Sequence, residues 1–178
     1  MNFKKIIPTV LAVLLITTSI TANNTDPKKT DDTIVSVAAS NENFSTLVAA
    51  VKAAGLVKVL NSDGPFTVFA PANSAFKKLP KGTVASLLKP ENKKLLTSIL
   101  TYHVISGKFV AKDVIKAIKA NNNKFVIKTV QGNKLTASIV NGKVVLTDVK
   151  GNTSTVIITD VPASNGVVHA IDTVVMPK

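Results

Sequence analysis

The stretch NGVVHAIDTVVMP, residues 165–177, is the most informative run of the chain, because it places one of the two histidines within a series of Val, Ala and Ile. Side chains alternate between the two faces of a β-strand. In a strand over residues 167–175, His169 and Asp172 therefore point to opposite faces and form no local catalytic or metal-binding pair. Both faces are otherwise mostly apolar, which is typical of a strand covered on both sides. We expect a neutral His169, hydrogen-bonded at the edge of a core.

Residues 1–22 have the features of a secretory signal peptide. A short basic region is followed by an apolar run over residues 10–16 and then by small and polar residues that end at Ala22, where we expect cleavage. The apolar run is too short for a transmembrane helix. The polar residues 23–33 follow as a flexible leader. We expect a secreted or periplasmic protein without a transmembrane anchor, with a single domain over residues 34–178.

The charge of the chain is strongly one-sided. It carries 22 basic residues, all of them Lys, and 10 acidic residues, so its formal net charge is +12. Such a surface favours anionic partners, and it also keeps a protein soluble, so either role explains the lysine excess. Base-specific contacts use Arg and single-strand binding uses stacked aromatics, whereas this chain has no Arg, no Trp and one Tyr. We therefore expect no nucleic-acid partner.

The first half of the domain has helical periodicity, and the second half alternates as strands do. Apolar residues recur at helical spacing over residues 44–60, and Asn141-Gly142 separates two alternating runs, 134–140 and 143–149. Asn and Gly tolerate φ > 0 at both central positions of a type I′ turn, which predicts a two-residue hairpin. Short helices followed by an antiparallel meander predict an α+β fold.

The sequence contains no motif that supports catalysis, a cofactor or a metal. It has no Cys and none of the HExxH, GxSxG, GxxxxGK[ST] or GxGxxG patterns. A zinc site needs at least three convergent ligands, which two distant histidines do not supply. His103 follows Tyr102 where helical periodicity gives way to a strand, so the two rings can anchor that junction through hydrogen bonds. We expect no catalytic, cofactor-binding or metal-binding residue and no cofactor.

Three blocks of the sequence together resemble the fasciclin domain family. They are GPFTVFAPANSAFKKLP over residues 64–80, YHVISGK over residues 102–108, and the stretch 165–177. The blocks have the family's order and spacing, and with the segments around them the resemblance covers about residues 34–177. It implies an α+β fold in which a wedge of antiparallel β-strands is capped by several short α-helices. We expect a single fasciclin-like domain without the family's usual tandem copies, and the signal peptide and the Lys- and Asn-rich, Arg-free composition are typical of a bacterium.

Several residues of these blocks have expected structural roles. A strand over residues 66–69 ends at Pro71, and Asn73 can cap the following helix, whose Phe76 returns to the core. A turn at Asn165-Gly166 precedes the final strand. The expected structural positions are Phe69, Pro71, Asn73, Phe76, Asn165, Gly166, His169 and Asp172.

The resemblance further implies a protein that works by binding, often in cell adhesion or matrix attachment, with no enzymatic activity. In animal members, integrin contact is ascribed to an Asp-Ile pair before the closing block and to the Tyr-His region. Asp160-Val161 and Tyr102-His103 occupy these places, so these four residues are the predicted partner contacts. The Asp-Ile pair is Asp-Val in this chain. The expected partner is a protein, an anionic polysaccharide or another envelope component at the cell surface.

Two other functions stay open. A helix cap over a wedge-shaped sheet can leave an apolar cleft for a small ligand or a lipid, which would make the protein a periplasmic carrier. The side chains that would line this cleft, or simply fill the core, are Phe66, Phe69, Phe76 and Leu100. A hydrolase that assembles a Ser-His-Asp triad by tertiary contact around either histidine is the other alternative.

Overall fold

The computed structural model describes residues 32–178, so the predicted signal peptide and residues 23–31 of the predicted leader lie outside the described residues. The described helices are α1 (Ile34–Ala39), α2 (Ser45–Ala54), α3 (Val57–Leu60), α4 (Asn73–Lys77), α5 (Thr83–Leu87), α6 (Lys93–Tyr102) and α7 (Ala111–Ala120), with 3₁₀ turns at Glu42–Phe44 and Pro90–Asn92. The described strands are β1 (Phe66–Pro71), β2 (Val104–Ser106), β3 (Phe125–Lys128), β4 (Lys134–Val140), β5 (Lys143–Thr147), β6 (Thr153–Ala163) and β7 (Gly166–Ile171). The predicted α+β class is confirmed.

The N-terminal helices follow the predicted apolar periodicity. The pattern over residues 44–60 is divided between α2 and α3, and Leu47, Val51 and Ala54 are buried along one side of α2. Thr33 precedes α1, and its Oγ1 accepts the backbone N–H of Ser36 at 3.3 Å. This bond satisfies one of the free N–H groups at the start of the helix. The last residue of the predicted leader therefore belongs to the folded domain.

The seven strands form one sheet in the order β2-β1-β7-β6-β5-β4-β3. The pairs on either side of β1-β7 are antiparallel, as predicted, but β1 and β7 themselves are parallel. Phe66 lies opposite Gly166, and Phe69 lies opposite His169. A parallel pair needs a long crossover connection. Here the connection contains the other five strands and four of the seven described helices, and β7 then inserts between β1 and β6.

The two edges of the sheet approach each other. Val130, just after β3, donates its backbone N–H to the carbonyl oxygen of Val104 in β2 at 2.8 Å. Gln131 donates its backbone N–H to the carbonyl oxygen of Thr101 at 3.2 Å. The sheet is therefore nearly closed, and little of its edge is left to pair with another chain.

Two hydrophobic cores pack against opposite faces of the central strands. All six residues of β7 are buried, which confirms a strand covered on both sides. Val168 and Ala170 face the helix-side core, beneath α1 to α6, whereas Ile171 faces the inner core, enclosed by the curved sheet and α7. The ring of His169 packs on Phe69 with centroids 5.6 Å apart. Other members of the inner core are Tyr102, Ile105, Ile118, Leu135 and Leu146.

The final strand is shorter than the predicted 167–175 and ends at Ile171. Asp172 and Thr173 form a bend, because hydrogen bonds of the Ser154 and Asp172 side chains replace ladder bonds there. Ser154 Oγ accepts the backbone N–H of Thr173 at 3.1 Å and donates to its carbonyl oxygen at 2.7 Å. Asp172 Oδ1 accepts the backbone N–H of Thr155 at 2.8 Å. These bonds turn the chain out of the sheet.

The predicted hairpin at Asn141-Gly142 is confirmed, since the two residues have φ of 49° and 75°, as a type I′ turn requires. The turn before β7 lies one residue earlier than predicted, and Gly166 is instead the first residue of the strand. A Cβ atom at Gly166 would collide with the carbonyl oxygen of Phe66. Glycine is needed there for the close approach of β1 and β7, not for a turn.

Candidate functional site

The Tyr102-His103 pair lies at the junction of α6 and β2, where the sequence predicts it. His103 is 2% exposed. Its Nδ1 lies 2.8 Å from the carbonyl oxygen of Ile99, and its Nε2 accepts the backbone N–H of Val175 at 3.3 Å. A carbonyl oxygen can only accept, so the proton is on Nδ1 and the imidazole is neutral.

Burial also sets the titration of this imidazole. Desolvation lowers the pKa of His103 from 6.5 to about 4, while the hydrogen bond to Ile99 acts in the opposite direction and is the smaller effect. The ring therefore stays neutral over the range in which histidines usually titrate. Without solvent access it is poorly suited to general acid–base chemistry.

Tyr102 is fully buried and connects three parts of the fold. Its hydroxyl donates to the carbonyl oxygen of Lys134 at 2.8 Å and accepts the backbone N–H of Val149 at 3.3 Å. Burial raises the pKa of this phenol above 10.0, against a smaller opposing effect of the Val149 bond. Neither Tyr102 nor His103 offers surface to a partner in this conformation. Their contact with a partner stays a prediction, and it would require the two rings to leave the core.

His169 is 1% exposed and lies deeper than the predicted edge position. Its Nε2 is 2.8 Å from the carbonyl oxygen of Phe109, and its Nδ1 accepts the backbone N–H of Asp160 at 3.2 Å. The proton is therefore on Nε2, the opposite arrangement to His103. His169 joins the segment before α7 to an irregular part of β6.

Asp160 lies on that irregular part, which we call the β6 bulge and which comprises residues 157–160. The pairing of β6 with β7 shifts register on both sides of Ile158, and Asp160 has a φ of 59°. Its Oδ1 accepts the backbone N–H of Ala111, the first residue of α7, at 2.7 Å. Val110, in the cap position, forms no side-chain cap of its own. The predicted partner contact Asp160 is therefore also the cap of α7, and Val161 beside it is half-buried against the helix-side core.

The prediction that Asn73 caps the helix that follows β1, α4, is wrong. Asn73 is the first residue of α4, and its side chain points to α2 instead. Its Oδ1 accepts the backbone N–H of Thr46 at 3.0 Å, and its Nδ2 donates to the carbonyl oxygen of Glu42 at 2.8 Å. The residue before α2, Phe44, has no side-chain oxygen that could cap it. The capping side chain and the N–H group that it accepts are 27 positions apart, so local sequence patterns cannot predict this cap.

Pro71 and Phe76 lie where the sequence places them. Pro71 ends β1, and Phe76 is buried in the helix-side core. Asn165 has a larger role than a turn residue, because its Oδ1 accepts the backbone N–H of Ile34 at 3.0 Å and its Nδ2 donates to the carbonyl oxygen of Leu60 at 2.7 Å. Asn165 thus connects α1 and α3 to the start of β7.

Asp172 does not meet His169. Its carboxylate lies 3.2 Å from Lys78 Nζ and accepts the hydroxyl of Thr173 as well as the N–H of Thr155. Burial acts to raise the pKa of Asp172, but these hydrogen bonds and the lysine charge together hold it below 3.8. The carboxylate fixes the bend after β7.

The sequence prediction missed Asp148, a second architectural carboxylate. Its Oδ1 accepts the backbone N–H groups of Lys150 and Asn152, and its Oδ2 accepts that of Met176 at 3.0 Å. Burial acts to raise its pKa, but hydrogen bonds led by Asn152 hold the value below 3.8. An Asp before Gly-Asn is typical of an Asx turn, and this local pattern could have identified it.

These groups serve architecture in the described part of the chain. Both ring nitrogens of each histidine bind backbone atoms, and residues 32–178 contain no group of three or more His, Cys, Asp or Glu side chains that could hold a metal. In the same range, every buried side-chain nitrogen and oxygen has a hydrogen-bond partner. No hydrogen bond within it joins Tyr102-His103 to Asp160-Val161, so the predicted contacts form two separate places.

Residues 42–177 match the family model described as the fasciclin domain. The chain belongs to the fasciclin domain family. Protein sll1483 of Synechocystis sp. is 54% identical to it over 145 residues, which are 82% of this chain and 73% of the relative. Immunogenic protein MPT70 of Mycobacterium tuberculosis is 36% identical over 165 residues, 88% of this chain and 77% of the relative.

A solved structure shows the same fold. A FAS1 domain pair from the insect cell adhesion molecule fasciclin I matches this fasciclin domain with a TM-score of 0.70 and 20% sequence identity, over 80% of this chain and 50% of that one. The predicted family and its sheet-and-helix architecture are thereby confirmed. Within residues 32–178, none of the helices combines the length and apolarity needed to cross a bilayer.

The fasciclin domain holds a small apolar cavity of about 30 Å³ between α1, α2 and the sheet. Of the four side chains predicted to line a ligand cleft, Phe69 and Leu100 border this cavity, whereas Phe66 and Phe76 do not. Both of these pack elsewhere against the helix-side core. The four phenylalanine and leucine side chains therefore do not form one cleft, because they are divided among separate parts of the packing.

The sequence prediction also missed a surface of the fasciclin domain, the outward side of β3 to β6, which we call the outer sheet face. Its positions alternate with those of the inner core, so the alternation that predicts the strands could have identified it. Its hydroxyl residues are Thr136, Ser138, Thr147, Thr153 and Thr155. Its lysines are Lys124, immediately before β3, and Lys128, Lys134 and Lys143.

Proposed function

We propose that this chain is an exported, non-enzymatic binding module that attaches to a protein or another envelope or matrix component at the cell surface, in the periplasm or outside the cell. The observation that carries the proposal is the fasciclin domain itself, which occupies residues 42–177 and whose fold recurs in an insect cell adhesion molecule. In such a protein the surface performs the function and the interior maintains its shape.

The state of the two histidines supports a binding role over a catalytic one. Each ring is buried and bound on both nitrogens by the backbone, so neither is available to a substrate. A hydrolytic triad needs an imidazole within reach of both a nucleophile and a substrate. The groups that the alternative hydrolase hypothesis requires are therefore already engaged in holding the sheet, α6 and α7 together.

The β6 bulge is the proposed protein-contact surface. Ile157 is 49% exposed and Ile158 is 45% exposed, beside the exposed carboxylate of Asp160. Adjacent exposed apolar side chains rimmed by polar groups are common at protein-binding surfaces. Asp160 and Val161 are the predicted contacts that lie at or beside this surface. Tyr102 and His103 would influence binding only through the shape of the domain.

A pull-down with the tagged protein against envelope and culture-matrix extracts of its host tests this function. We expect wild type to retain at least one component, and an Ile157→Thr/Ile158→Thr variant to retain clearly less of a protein partner, since threonine keeps the β-branched shape but removes apolar contact area. A Val59→Thr/Leu95→Thr variant, which changes two exposed side chains elsewhere, is the matched control. Retention of nothing by wild type would contradict the binding role, and equal losses in the two variants would contradict this location.

A small-ligand or lipid carrier is the alternative proposal, and the apolar cavity favours it. The cavity lies beneath α1, but its volume of about 30 Å³ is far below the roughly 300–1,000 Å³ of typical ligand pockets. A lipid chain would therefore require α1 to move away from the sheet. Native mass spectrometry of protein purified from its own host would support a carrier by a co-purifying mass, and the bare protein mass would argue against it.

A further inference from the structure

The outer sheet face presents hydroxyl groups in cross-strand rows. Thr136 of β4 lies opposite Thr147 of β5, and Thr147 lies opposite Thr153 of β6, so three threonines form one continuous row. Ser138 and Thr155 belong to the adjacent row, on either side of Val145. Neighbouring strands are about 4.8 Å apart. Within residues 32–178, the hydroxyls of Thr136 and Thr147 have no protein hydrogen-bond partner, so they can bind a ligand.

Positive charge surrounds these rows. Lys128 and Lys134 are directly opposite each other on β3 and β4, Lys143 is the first residue of β5, and Lys124 immediately precedes β3. All four are exposed. The only acidic residue in these four strands is Asp160, which lies on the β6 bulge and caps α7, and the described residues show no ion pair that involves any of these lysines. The face therefore combines uncompensated positive charge with hydroxyl groups.

A groove runs beside these rows of hydroxyl groups. Its volume is about 450 Å³. It lies between the loop that follows α7 and the outer sheet face, and its lining is polar throughout: Asn122, Asn123, Lys124, Thr136, Ser138 and Thr147. Asn123 is held in place by its Oδ1, which accepts the backbone N–H of Ile139 at 2.9 Å, and by its Nδ2, which donates to the carbonyl oxygen of the same residue at 3.0 Å. The loop wall of the groove is thus fixed to β4.

The chemistry of this surface fits a charged sugar polymer. A polysaccharide offers many hydroxyl groups and, when it carries uronic acids, regularly repeated carboxylates. Amide, hydroxyl and ammonium groups on the protein complement both kinds of group. Insertion into a bilayer would instead leave the threonine rows buried without partners. Nucleic acid is disfavoured, since none of the strongly exposed apolar side chains in the described residues is an aromatic that could stack on a base.

We propose that the outer sheet face and its groove bind an extended acidic polysaccharide. The lysines attract its carboxylates, and the hydroxyls of Thr136, Ser138 and Thr147, with the amide of Asn122, bind its hydroxyl groups. This inference rests on the proposed function as a surface-binding module and assigns one class of partner to one face of the domain. It is separate from the β6 bulge, where the exposed groups are apolar and acidic.

Titration of the purified protein with polygalacturonate at increasing NaCl, with dextran as the uncharged polymer, tests the proposal. We expect binding to polygalacturonate that weakens with salt, and at most weak binding to dextran. A Lys124→Gln/Lys134→Gln variant should lose about fivefold to tenfold in affinity, whereas Lys58→Gln/Lys94→Gln, which removes the same charge from exposed helix positions, should lose less than about twofold. A Thr136→Val/Thr147→Val variant keeps the charge and the side-chain shape, so its loss of affinity should persist at high salt.

Three outcomes would overturn the inference. Equal losses in the two lysine variants would mean that net charge alone attracts the polymer. Absence of binding to polygalacturonate, with binding to vesicles of phosphatidylglycerol and phosphatidylcholine, would identify a lipid surface instead. Absence of binding to both would remove the acidic polysaccharide, and recovery of an envelope component in the pull-down would then leave the proposed function standing. The circular dichroism melting curve of each variant establishes that it is folded.

Discussion

His103 and His169 are both buried, but they bind their backbone partners through opposite ring nitrogens. His103 donates through Nδ1 to Ile99 and accepts through Nε2, whereas His169 donates through Nε2 to Phe109 and accepts through Nδ1. An asparagine amide can replace an Nδ1–H donor, and a glutamine amide reaches further, to the place of Nε2–H. The two histidines therefore call for different conservative substitutions.

His103 should make the stability of the protein depend on pH. Its pKa is about 4 in the folded chain and near 6.5 when unfolded, so between these values the unfolded chain binds a proton that the folded chain does not. The free energy of unfolding is therefore fully retained above pH 6.5 and falls as the pH drops toward 4. We expect a loss of roughly 2–3 kcal/mol between pH 7 and pH 4.5, measured by urea denaturation.

A His103→Asn variant is the control for this prediction. It should be less stable than wild type at pH 7, but its stability should change much less between pH 7 and pH 4.5. Asp148 and Asp172, whose pKa values are lowered, lose their stabilising bonds only as the pH falls below 3.8 and do so in both proteins. Parallel pH curves for the variant and wild type would show that His103 is not the source.

His169→Ala should lower the free energy of unfolding by about 1–3 kcal/mol, because it leaves the Phe109 carbonyl and the Asp160 N–H without partners in the interior. His169→Gln should recover part of this loss, since its amide nitrogen can donate to Phe109. Thermal and urea denaturation at pH 7 measure both. An unchanged melting temperature for His169→Ala would contradict the structural role.

Single positions differ in how far the sequence could predict them. The period-two alternation of β7 was enough to separate His169 from Asp172, because strand geometry alone decides which face a residue takes. The caps provided by Asn73 and Asp160 could not be predicted, since the backbone N–H groups that they accept lie 27 and 49 positions away along the chain. Local patterns contain no information about such contacts.

The start of α7 depends on a carboxylate from another element. Asp160→Ala removes the acceptor for the Ala111 N–H and places an alanine at a φ of 59°, so we expect a loss of about 1–3 kcal/mol. Hydrogen exchange should quicken first in the opening turn of α7. Asp160→Asn keeps an oxygen acceptor and tolerates positive φ, so it should cost only a few tenths to about 1 kcal/mol. Equal effects of the two substitutions would contradict the capping role.

The β1-β7 pair depends on the absence of a side chain at Gly166. Gly166→Ala would force a methyl group against the carbonyl oxygen of Phe66, so we expect a loss of at least about 2 kcal/mol in urea denaturation. Gly142→Ala is a useful comparison, because that position is open and only its φ of 75° is unfavourable, at about 1 kcal/mol. A smaller effect at Gly166 than at Gly142 would argue against the close approach.

Secondary-structure elements were predicted best where separate signals in the sequence agree. The Asn141-Gly142 hairpin and the runs on either side of it were found because turn chemistry and alternation agree there. The end of β7 was misplaced by four residues because Val174 and Val175 continue the apolar pattern while hydrogen bonds of the Ser154 and Asp172 side chains bend the backbone. Buried apolar residues usually continue a strand, but Val174 and Val175 are buried and lie beyond its end.

The folded domain should extend beyond the residues that match the family. Helix α1 lies before residue 42, yet it buries Ile34 and Ala38 and covers the apolar cavity. Compared with a chain that begins at residue 32, a chain that begins at residue 42 should lose roughly 3–5 kcal/mol of stability, from the apolar area that α1 buries. Urea denaturation of both chains measures the difference, and identical midpoints would show that α1 is dispensable.

The sequence predicted which kinds of element the domain contains, but not how its strands pair with one another. Composition and periodicity indicated helices followed by strands, and three sequence blocks indicated the family. The parallel pairing of β1 with β7 and the contact between Val130 and Val104 that nearly closes the sheet could not be derived, since both join segments far apart in the chain. Alternation along each strand indicates which residues of the outer sheet face point outward, but their cross-strand rows exist only after the four strands have aligned.

The place of β7 in the sheet, between β1 and β6, also has a consequence for biosynthesis. The ribosome makes β1 about a hundred residues before β7, so this parallel pair cannot form until β7 has been made. Contacts between segments so distant in the chain assemble slowly. Until β7 is made the nascent polypeptide therefore lacks the interaction that completes its fold, and this delay fits the export that the proposed function requires.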